Sequence, residues 1–118
     1  MHDRTKAGIF TNKARKAIYM RDLAMNAPHV CYFCKIGYKM DKADVYSTSI
    51  YETMHIIPKS QGGLGVEKNG IIGCKYHHMM FDNGNNGSRT EMRKLIEQYM
   101  KDIYRNWNTE ELTYSKWS

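Results

Sequence analysis

Residues 54–82 read MHIIPKSQGGLGVEKNGIIGCKYHHMMFD, and this stretch decides the fold. β-Branched and aromatic residues over 50–57 predict a strand, and Pro58 ends it because proline cannot donate a ladder hydrogen bond. The elements predicted after it are a glycine-rich loop over 59–70, a returning strand at Ile71-Ile72 and a helix from Lys75 to Asn83 that ends at Gly84. We therefore expect an α+β fold built around a strand, a loop, a strand and a helix.

Cysteines flank the strand, loop and strand of this element on both sides. The chain has three cysteines, an odd number that argues against a disulfide framework. The spacing Cys31-x2-Cys34 is half of a tetrahedral site, and Cys74-x2-His77 supplies the other half. These ligands suit zinc, whose binding would clamp both ends of the intervening segment and contribute to the free energy of folding. The alternative is that the cysteines are small buried hydrophobic residues.

A second group of polar residues lies beside these ligands. His55 lies near the end of the predicted strand, and Asn69 lies in the returning loop. His78 and Asp82 share one helix face, so both can reach one cation, or they can form a local hydrogen bond instead. Adjacent helical residues point about 100° apart, so His77 and His78 cannot easily serve the same ion. We therefore expect two separate sites, although His55 alone could be a core histidine and Asn69 a turn residue.

One helix is predicted on each side of this core. Thr11 can cap a helix over 12–25, with Met25 on its apolar stripe. Ser88 and Glu91 form a capping box that begins a helix over about 88–107, in which apolar residues recur at helical spacing. We expect residues 1–10 to form a flexible basic arm. Residues 11–118 should form a single domain with its core over about 50–84.

The chain of 118 residues carries a formal net charge of +6. A basic surface attracts polyanions and speeds encounter with nucleic acid, although such charges can also be merely solvated. The candidates for nucleic-acid contacts are Lys13, Arg15 and Lys16 on the first helix, and Lys59 and Lys68 in the glycine-rich loop. No apolar run approaches the roughly 20 residues of a membrane span, and we expect no signal peptide, no membrane partner and a cytoplasmic location.

The order of these residues resembles the HNH endonuclease motif. Residues 54–70 resemble its first half and residues 74–84 its second half. The match is closest to small phage and prophage members in which a Cys-x2-Cys knuckle precedes the motif. The resemblance implies a ββα-metal (His-Me finger) fold with a structural zinc ion and flanking helices. It also implies that His55 is the general base, Asn69 fixes the loop, and His78 with Asp82 binds a catalytic divalent cation such as Mg²⁺, Mn²⁺ or Ni²⁺.

The implied function is metal-dependent hydrolysis of DNA phosphodiester bonds with low sequence specificity. A histidine suits the proton transfer because its ordinary pKa is about 6.5, and a divalent cation can neutralise the scissile phosphate. The resemblance also implies 5′-phosphate and 3′-hydroxyl products, nicking by a monomer, and double-strand cutting by a homodimer or with a partner. The partners it implies are DNA and phage terminase or other packaging proteins, in the cytoplasm of a bacterial host.

One position departs from the family pattern. Many members carry Asp or His directly before the general base, where this chain has Met54, and a thioether is a poor ligand for a hard cation. Glu52 lies two residues earlier, but alternation along the strand puts it on the face opposite His55, so we do not expect it to reach the cation. Two other functions stay open: a catalytically impaired, zinc-stapled nucleic-acid-binding module, and a zinc protein that binds another protein.

Overall fold

The computed structural model describes residues 6–84 and 87–114. The longer elements, in chain order, are α1 (Asn12–Asn26), α2 (Tyr32–Lys35), α3 (Val45–Thr48), β1 (Tyr51–His55), β2 (Gly70–Cys74), α4 (Lys75–Asp82) and α5 (Ser88–Ile103). Short 3-10 helices lie at Lys59–Gln61, Glu67–Asn69 and Glu110–Leu112. The predicted α+β class is confirmed at this level, since helices surround one small antiparallel sheet.

The sheet consists of β1 and β2, with Tyr51 opposite Cys74 and His55 opposite Gly70. β1 ends at His55, two residues earlier than predicted. Ile56 and Ile57 are buried but leave the ladder, because the backbone and side chain of Asn69 accept hydrogen bonds from their N–H groups at 2.9 and 2.8 Å. The register therefore places His55 at the last rung of the ladder, where the chain turns into the loop.

Two apolar clusters enclose the sheet. The larger cluster joins the sheet to α2, α4 and α5, and its fully buried members include Phe33, Met54, Ile56, Ile71, Met92, Ile96 and Met100. The smaller cluster contains Phe10, Ile18, Val30 and Ile72. Ile71 and Ile72 are neighbours in β2 yet belong to different clusters, because successive strand residues point to opposite faces. One sheet face therefore packs toward α4 and α5, and the other toward α1.

α1 differs from its prediction in the face that it buries. Thr11 caps the helix as expected, because its hydroxyl accepts a hydrogen bond from Ala14 N–H at 3.0 Å. Met25 is exposed, however, and the buried positions are Ile18, Asp22 and Asn26. The predicted apolar stripe of Ala14, Ala17, Ile18 and Met25 is thus right for Ile18 and for Ala14, which packs beside it, and wrong for Met25. The remaining buried side chains of the helix are polar.

Asp22 links three elements from its buried position. Its carboxylate pairs with Arg21 Nε at 2.9 Å and accepts hydrogen bonds from the Tyr99 hydroxyl at 2.6 Å and Ile72 N–H at 2.7 Å. The Arg21 guanidinium also donates to the Gly70 carbonyl at 2.7 Å. Buried polar groups need such partners to offset the loss of hydration. This network therefore joins α1 to β2 and α5.

Both ends of α5 correct the sequence prediction. The residue before the helix is Gly87 at φ 98°, a left-handed conformation that glycine adopts without strain, and Ser88 is the first helical residue. The predicted capping box is therefore wrong, and Glu91 accepts a hydrogen bond from the Tyr38 hydroxyl instead. The helix ends at Ile103 rather than near residue 107. Trp107 lies beyond it but stays buried, and its indole N–H donates to the Lys68 carbonyl at 2.8 Å.

The predicted flexible arm is wrong for residues 6–10; residues 1–5 of that prediction lie outside the described residues. Gly65 N–H donates to the Ala7 carbonyl at 2.9 Å, and Phe10 is only 5% exposed. The segment is held because its backbone and one aromatic ring contact the core. Within the described ranges, no helix combines the length and the apolar composition that a membrane span requires.

Candidate metal centre and adjoining cleft

Four potential metal ligands converge from three elements. Cys31 precedes α2 and Cys34 lies within it, Cys74 ends β2, and His77 lies in the first turn of α4. Their ligand atoms, three Sγ and one imidazole nitrogen, all lie within 4.8 Å of one another. We call these residues the Cys3His cluster. The cluster joins α2 to the point where β2 continues into α4.

The distances within the Cys3His cluster fit a tetrahedral zinc site. With Zn–S near 2.3 Å and Zn–N near 2.0 Å, tetrahedral ligands lie about 3.8 Å apart for two sulfurs and about 3.5 Å apart for sulfur and nitrogen. Cys34 Sγ lies 3.7 Å from Cys74 Sγ. His77 Nδ1 lies 3.7, 3.6 and 3.2 Å from the sulfurs of Cys31, Cys34 and Cys74. The cluster can therefore hold a metal ion such as zinc.

The surroundings of His77 orient its ring toward the sulfurs. His77 Nε2 donates a hydrogen bond to the Tyr38 carbonyl at 2.7 Å, which leaves Nδ1 as the ligand atom. Burial would lower the pKa of His77, but the adjacent Cys31 and Cys74 sulfurs outweigh it and raise that pKa to about 10. Hydrogen bonds from the neighbouring thiols lower the pKa of Cys31. The same hydrogen bonds raise the pKa of Cys34, so the cluster favours negative charge on the Cys31 sulfur and disfavours it on the Cys34 sulfur.

A cavity of about 380 Å³ lies beside this cluster, between β1, the following loop and α4. Its lining includes the predicted site residues His55, Lys59, His78 and Asp82, together with Arg89. We call this cavity the cleft. The chain therefore brings the strand histidine and the histidine–carboxylate pair of α4 to one opening, while the adjacent His77 turns to the Cys3His cluster.

His55 is half-buried, and its ring is held on one side. His55 Nε2 lies 2.6 Å from the Gly8 carbonyl, and the Phe10 ring centroid lies 4.2 Å from the imidazole centroid. Burial lowers the pKa of His55, the Gly8 hydrogen bond partly offsets that effect, and the positive charges of Lys59 and Arg15 lower the pKa further. The imidazole is therefore kept neutral near pH 7 and able to accept a proton.

His78 lies between two carboxylates. Its Nδ1 is 2.9 Å from Glu52 Oε1, and its Nε2 is 3.4 Å from Asp82 Oδ2. The contact between Glu52 and His78 was not expected from the sequence. Glu52 does lie on the strand face opposite His55, but α4 packs across that face and brings His78 to the carboxylate.

Met54 is a core residue rather than a member of the cleft. Its side chain is 1% exposed and belongs to the larger apolar cluster. A Cβ atom added at Gly73 on the partner strand would lie 2.1 Å from its sulfur, so the thioether occupies space that the glycine leaves. Met54 therefore contributes to packing. The carboxylate of β1 that contacts His78 is that of Glu52.

Asn69 holds the loop between the strands. Its side-chain oxygen accepts from Ile57 N–H at 2.8 Å, and its amide donates to the carbonyls of Ile57 and Leu64 at 3.2 and 2.8 Å. The side chain is fully buried and contacts the backbone after His55 rather than the imidazole. Its arrangement suits a loop-fixing role that acts on His55 through the backbone.

The five basic residues predicted to contact nucleic acid divide by position. Lys59 lines the cleft, and the guanidinium of the exposed Arg15 lies 5.8 Å from the Phe10 ring that packs on His55. Lys13 and Lys16 are exposed on α1. Lys68 lies elsewhere, with its ammonium 5.5 Å from the Tyr104 ring. The structure thus groups two of the five near the cleft.

The sequence analysis missed Arg89. Its Nε donates to the Phe81 carbonyl at 2.9 Å, and its Nη2 donates to the Asp82 carbonyl, so the guanidinium caps the end of α4 at the edge of the cleft. The one sequence feature that could have indicated a place for Arg89 near the cleft is its position just after the loop that follows α4.

Comparison with family models, curated proteins and solved structures finds no match to this chain. The family resemblance therefore depends on the order, spacing and placement of the residues described above.

Proposed function

We propose that this protein is a metal-dependent DNA endonuclease of the HNH type, with β1, β2 and α4 as a ββα-metal core. The observation that carries the proposal is the cleft. An imidazole at the end of β1 and an imidazole–carboxylate pair on α4 line one cavity, beside a zinc-type cluster that takes one ligand from the same helix. Phosphodiester hydrolysis needs a proton acceptor and a cation on the two sides of one phosphate.

His78 and Asp82 are the residues that would hold the catalytic cation. Because His78 Nδ1 donates to Glu52, Nε2 carries the lone pair in the neutral ring and faces Asp82. Adjacent ligands of an octahedral ion lie about 3 Å apart when metal–ligand distances are about 2.1 Å. The observed 3.4 Å is close to that value. A divalent cation bound there supplies charge that neutralises the phosphate and stabilises the departing 3′ oxygen.

His55 is the proposed general base. Its imidazole accepts a proton from the attacking water, whose oxygen forms a bond to phosphorus while the bond from phosphorus to the 3′ oxygen breaks. The 3′ oxygen takes a proton from solvent, and the products are a 3′-hydroxyl and a 5′-phosphate. The low pKa that burial gives His55 supports this role, because the base is already neutral at pH 7.

The charges around the cleft suit a DNA backbone. Lys59 and Arg89 line the opening, and Arg15 lies close by. Contacts of this kind bind phosphates without reading bases, so we expect low sequence specificity and an affinity that falls steeply with salt. The cleft gives a monomer one candidate active site, so nicking is its expected reaction. Double-strand cutting would require a homodimer or a partner protein.

A plasmid-relaxation assay tests the proposal. Supercoiled plasmid is incubated with wild-type protein in Mg²⁺, Mn²⁺ or Ni²⁺, beside His55→Ala and the control His29→Ala, which removes an exposed histidine. We expect wild type and His29→Ala to nick the plasmid, and His55→Ala to be slower by about 100-fold or more. DNA binding without nicking in all three cations would favour the catalytically impaired module, and His55→Ala at the wild-type rate would contradict the assignment of the base.

A further inference from the structure

The segment of residues 7–10 crosses the glycine-rich loop in close backbone contact. Gly65 N–H donates to the Ala7 carbonyl at 2.9 Å, and Gly8 is buried. A Cβ atom added at Gly65 would lie 2.3 Å from the carbonyl carbon and oxygen of Ile9 and 2.5 Å from Phe10 N. Only a glycine at position 65 leaves room for this crossing.

The same segment also approaches the loop at its other end. A Cβ atom added at Gly8 would lie 2.8 Å from Lys59 Cγ and 3.2 Å from the Gly63 carbonyl oxygen. Phe10 is buried in the smaller apolar cluster with Ile18. The segment is thus fixed by a backbone hydrogen bond, two close glycine contacts and one buried ring.

Two residues of this segment contact the His55 ring. The Gly8 carbonyl lies 2.6 Å from His55 Nε2, and the Phe10 ring packs against the imidazole with an interplanar angle of 37°. A carbonyl oxygen can only accept a hydrogen bond, so Nε2 must carry the proton. In the neutral ring, Nδ1 is then the nitrogen that can accept a proton.

We propose that residues 7–10 act as a positioning strap that fixes the His55 imidazole in the Nε2–H tautomer and leaves Nδ1 as the base. The catalytic part of this inference rests on the nuclease function proposed above. The strap reaches His55 from outside the strand–loop–strand–helix element, so the element alone does not complete the site. Asn69 orients the backbone after His55, and the strap orients the ring itself.

The tautomer can be measured without any nuclease activity. Protein labelled with ¹⁵N at histidine is examined by long-range ¹H–¹⁵N NMR as wild type, Gly65→Ala and Phe10→Ala. Gly65→Ala pushes the strap away by steric contact, and Phe10→Ala removes its anchor while leaving the loop unchanged. Val66→Ala is the matched control, because Val66 is the neighbouring residue and its side chain is 40% exposed. Bound zinc is measured for each variant, so that a folding failure is recognised.

We expect wild type and Val66→Ala to show a protonated Nε2 and an unprotonated Nδ1 at neutral pH. In the zinc-loaded variants, Phe10→Ala and Gly65→Ala should show both tautomers. A wild-type spectrum with Nδ1 protonated would overturn the inference, as would both strap variants keeping the wild-type pattern.

A cleavage measurement then connects the strap to catalysis. We expect single-turnover nicking by Phe10→Ala and Gly65→Ala to slow by about 100-fold, the effect of a misplaced reacting group, while DNA affinity changes less than about twofold. An unchanged rate in both variants would show that the strap does not position the base. If wild type does not nick DNA but the NMR result holds, the proposed function fails and the positioning of His55 stands.

Discussion

His78 Nδ1 lies 2.9 Å from Glu52 Oε1, and this pair joins α4 to β1 beside the cleft. A carboxylate that accepts the N–H of a metal-binding imidazole fixes the ring and raises the basicity of its other nitrogen. In this chain the other nitrogen is Nε2, which faces Asp82. Glu52 is therefore placed to support the proposed cation site from the strand that also carries His55.

Replacing Glu52 should weaken binding of the proposed catalytic cation. We expect Glu52→Ala to raise the Mn²⁺ concentration for half-maximal nicking by about 10- to 100-fold. Glu52→Gln should have a smaller effect, because its amide oxygen still accepts the hydrogen bond. Glu110→Ala, which removes an exposed carboxylate after α5, is the control. An unchanged Mn²⁺ requirement in Glu52→Ala would show that the pair has no role at the cation site.

Arg89 should contribute to phosphate binding. Its guanidinium is held by the Phe81 and Asp82 carbonyls at the edge of the cleft. A charge-assisted hydrogen bond contributes about 1.5–3 kcal/mol, so Arg89→Ala should weaken DNA binding by at least about tenfold. Arg89→Lys should recover little, because an ammonium cannot bridge two carbonyls and a phosphate in the same plane. Fluorescence anisotropy with a short duplex measures this, with the exposed Arg105→Ala as the control. Equal affinities for the two alanine variants would refute the role.

The pH dependence of cleavage should reflect the lowered pKa of His55. Burial is the largest cause, and nearby positive charges act in the same direction, so the pKa lies below the ordinary 6.5. The base works when neutral, so kcat/KM should fall as pH falls through that lowered value and should be flat above pH 6.5. The folded state binds this proton less readily than the unfolded state, so stability should also decrease as pH falls from 6.5 toward that lowered pKa. An inflection of kcat/KM above 6.5 that disappears in His55→Ala would contradict this explanation.

Removing the ion from the Cys3His cluster should unfold the protein. Structural zinc contributes about 10 kcal/mol or more of binding free energy in small zinc domains, comparable with the whole stability of a domain of this size. We expect chelation to abolish the near-ultraviolet circular dichroism of the aromatic core, and Zn²⁺ but not Mg²⁺ to restore it. A chelated protein that keeps its melting temperature would show that the four residues are only packed together.

The sequence predicted the elements that depend on local patterns. Pro58 marked the end of the first strand to within a few residues, because proline has no backbone N–H to donate. Thr11 marked the start of α1, because its hydroxyl bonds to a backbone N–H only three residues away. The two Cys-x2 spacings predicted the ligand set of the Cys3His cluster, because each pair lies on one short turn.

The contacts between distant segments were not predictable from local patterns. Alternation along β1 correctly put the Glu52 side chain on the strand face opposite that of His55. It could not show that α4 packs on the face that carries Glu52. The polar residue Asp22 was not expected inside the core, because its partners Ile72 and Tyr99 lie far away in sequence. Residues 6–10 contain no strong pattern, and their order depends on Gly65, where the missing side chain makes room for the backbone.

The most direct test of the central claim is anomalous diffraction from crystals of the zinc-loaded protein soaked in Mn²⁺. The claim is that one turn of α4 faces two different ion sites, with His77 in one and His78 in the other. We expect a zinc-edge peak inside the Cys3His cluster and a separate manganese peak between His78 Nε2 and Asp82, facing His55. Manganese bound only outside the cleft, or a zinc ion held by His78 instead of His77, would contradict the account.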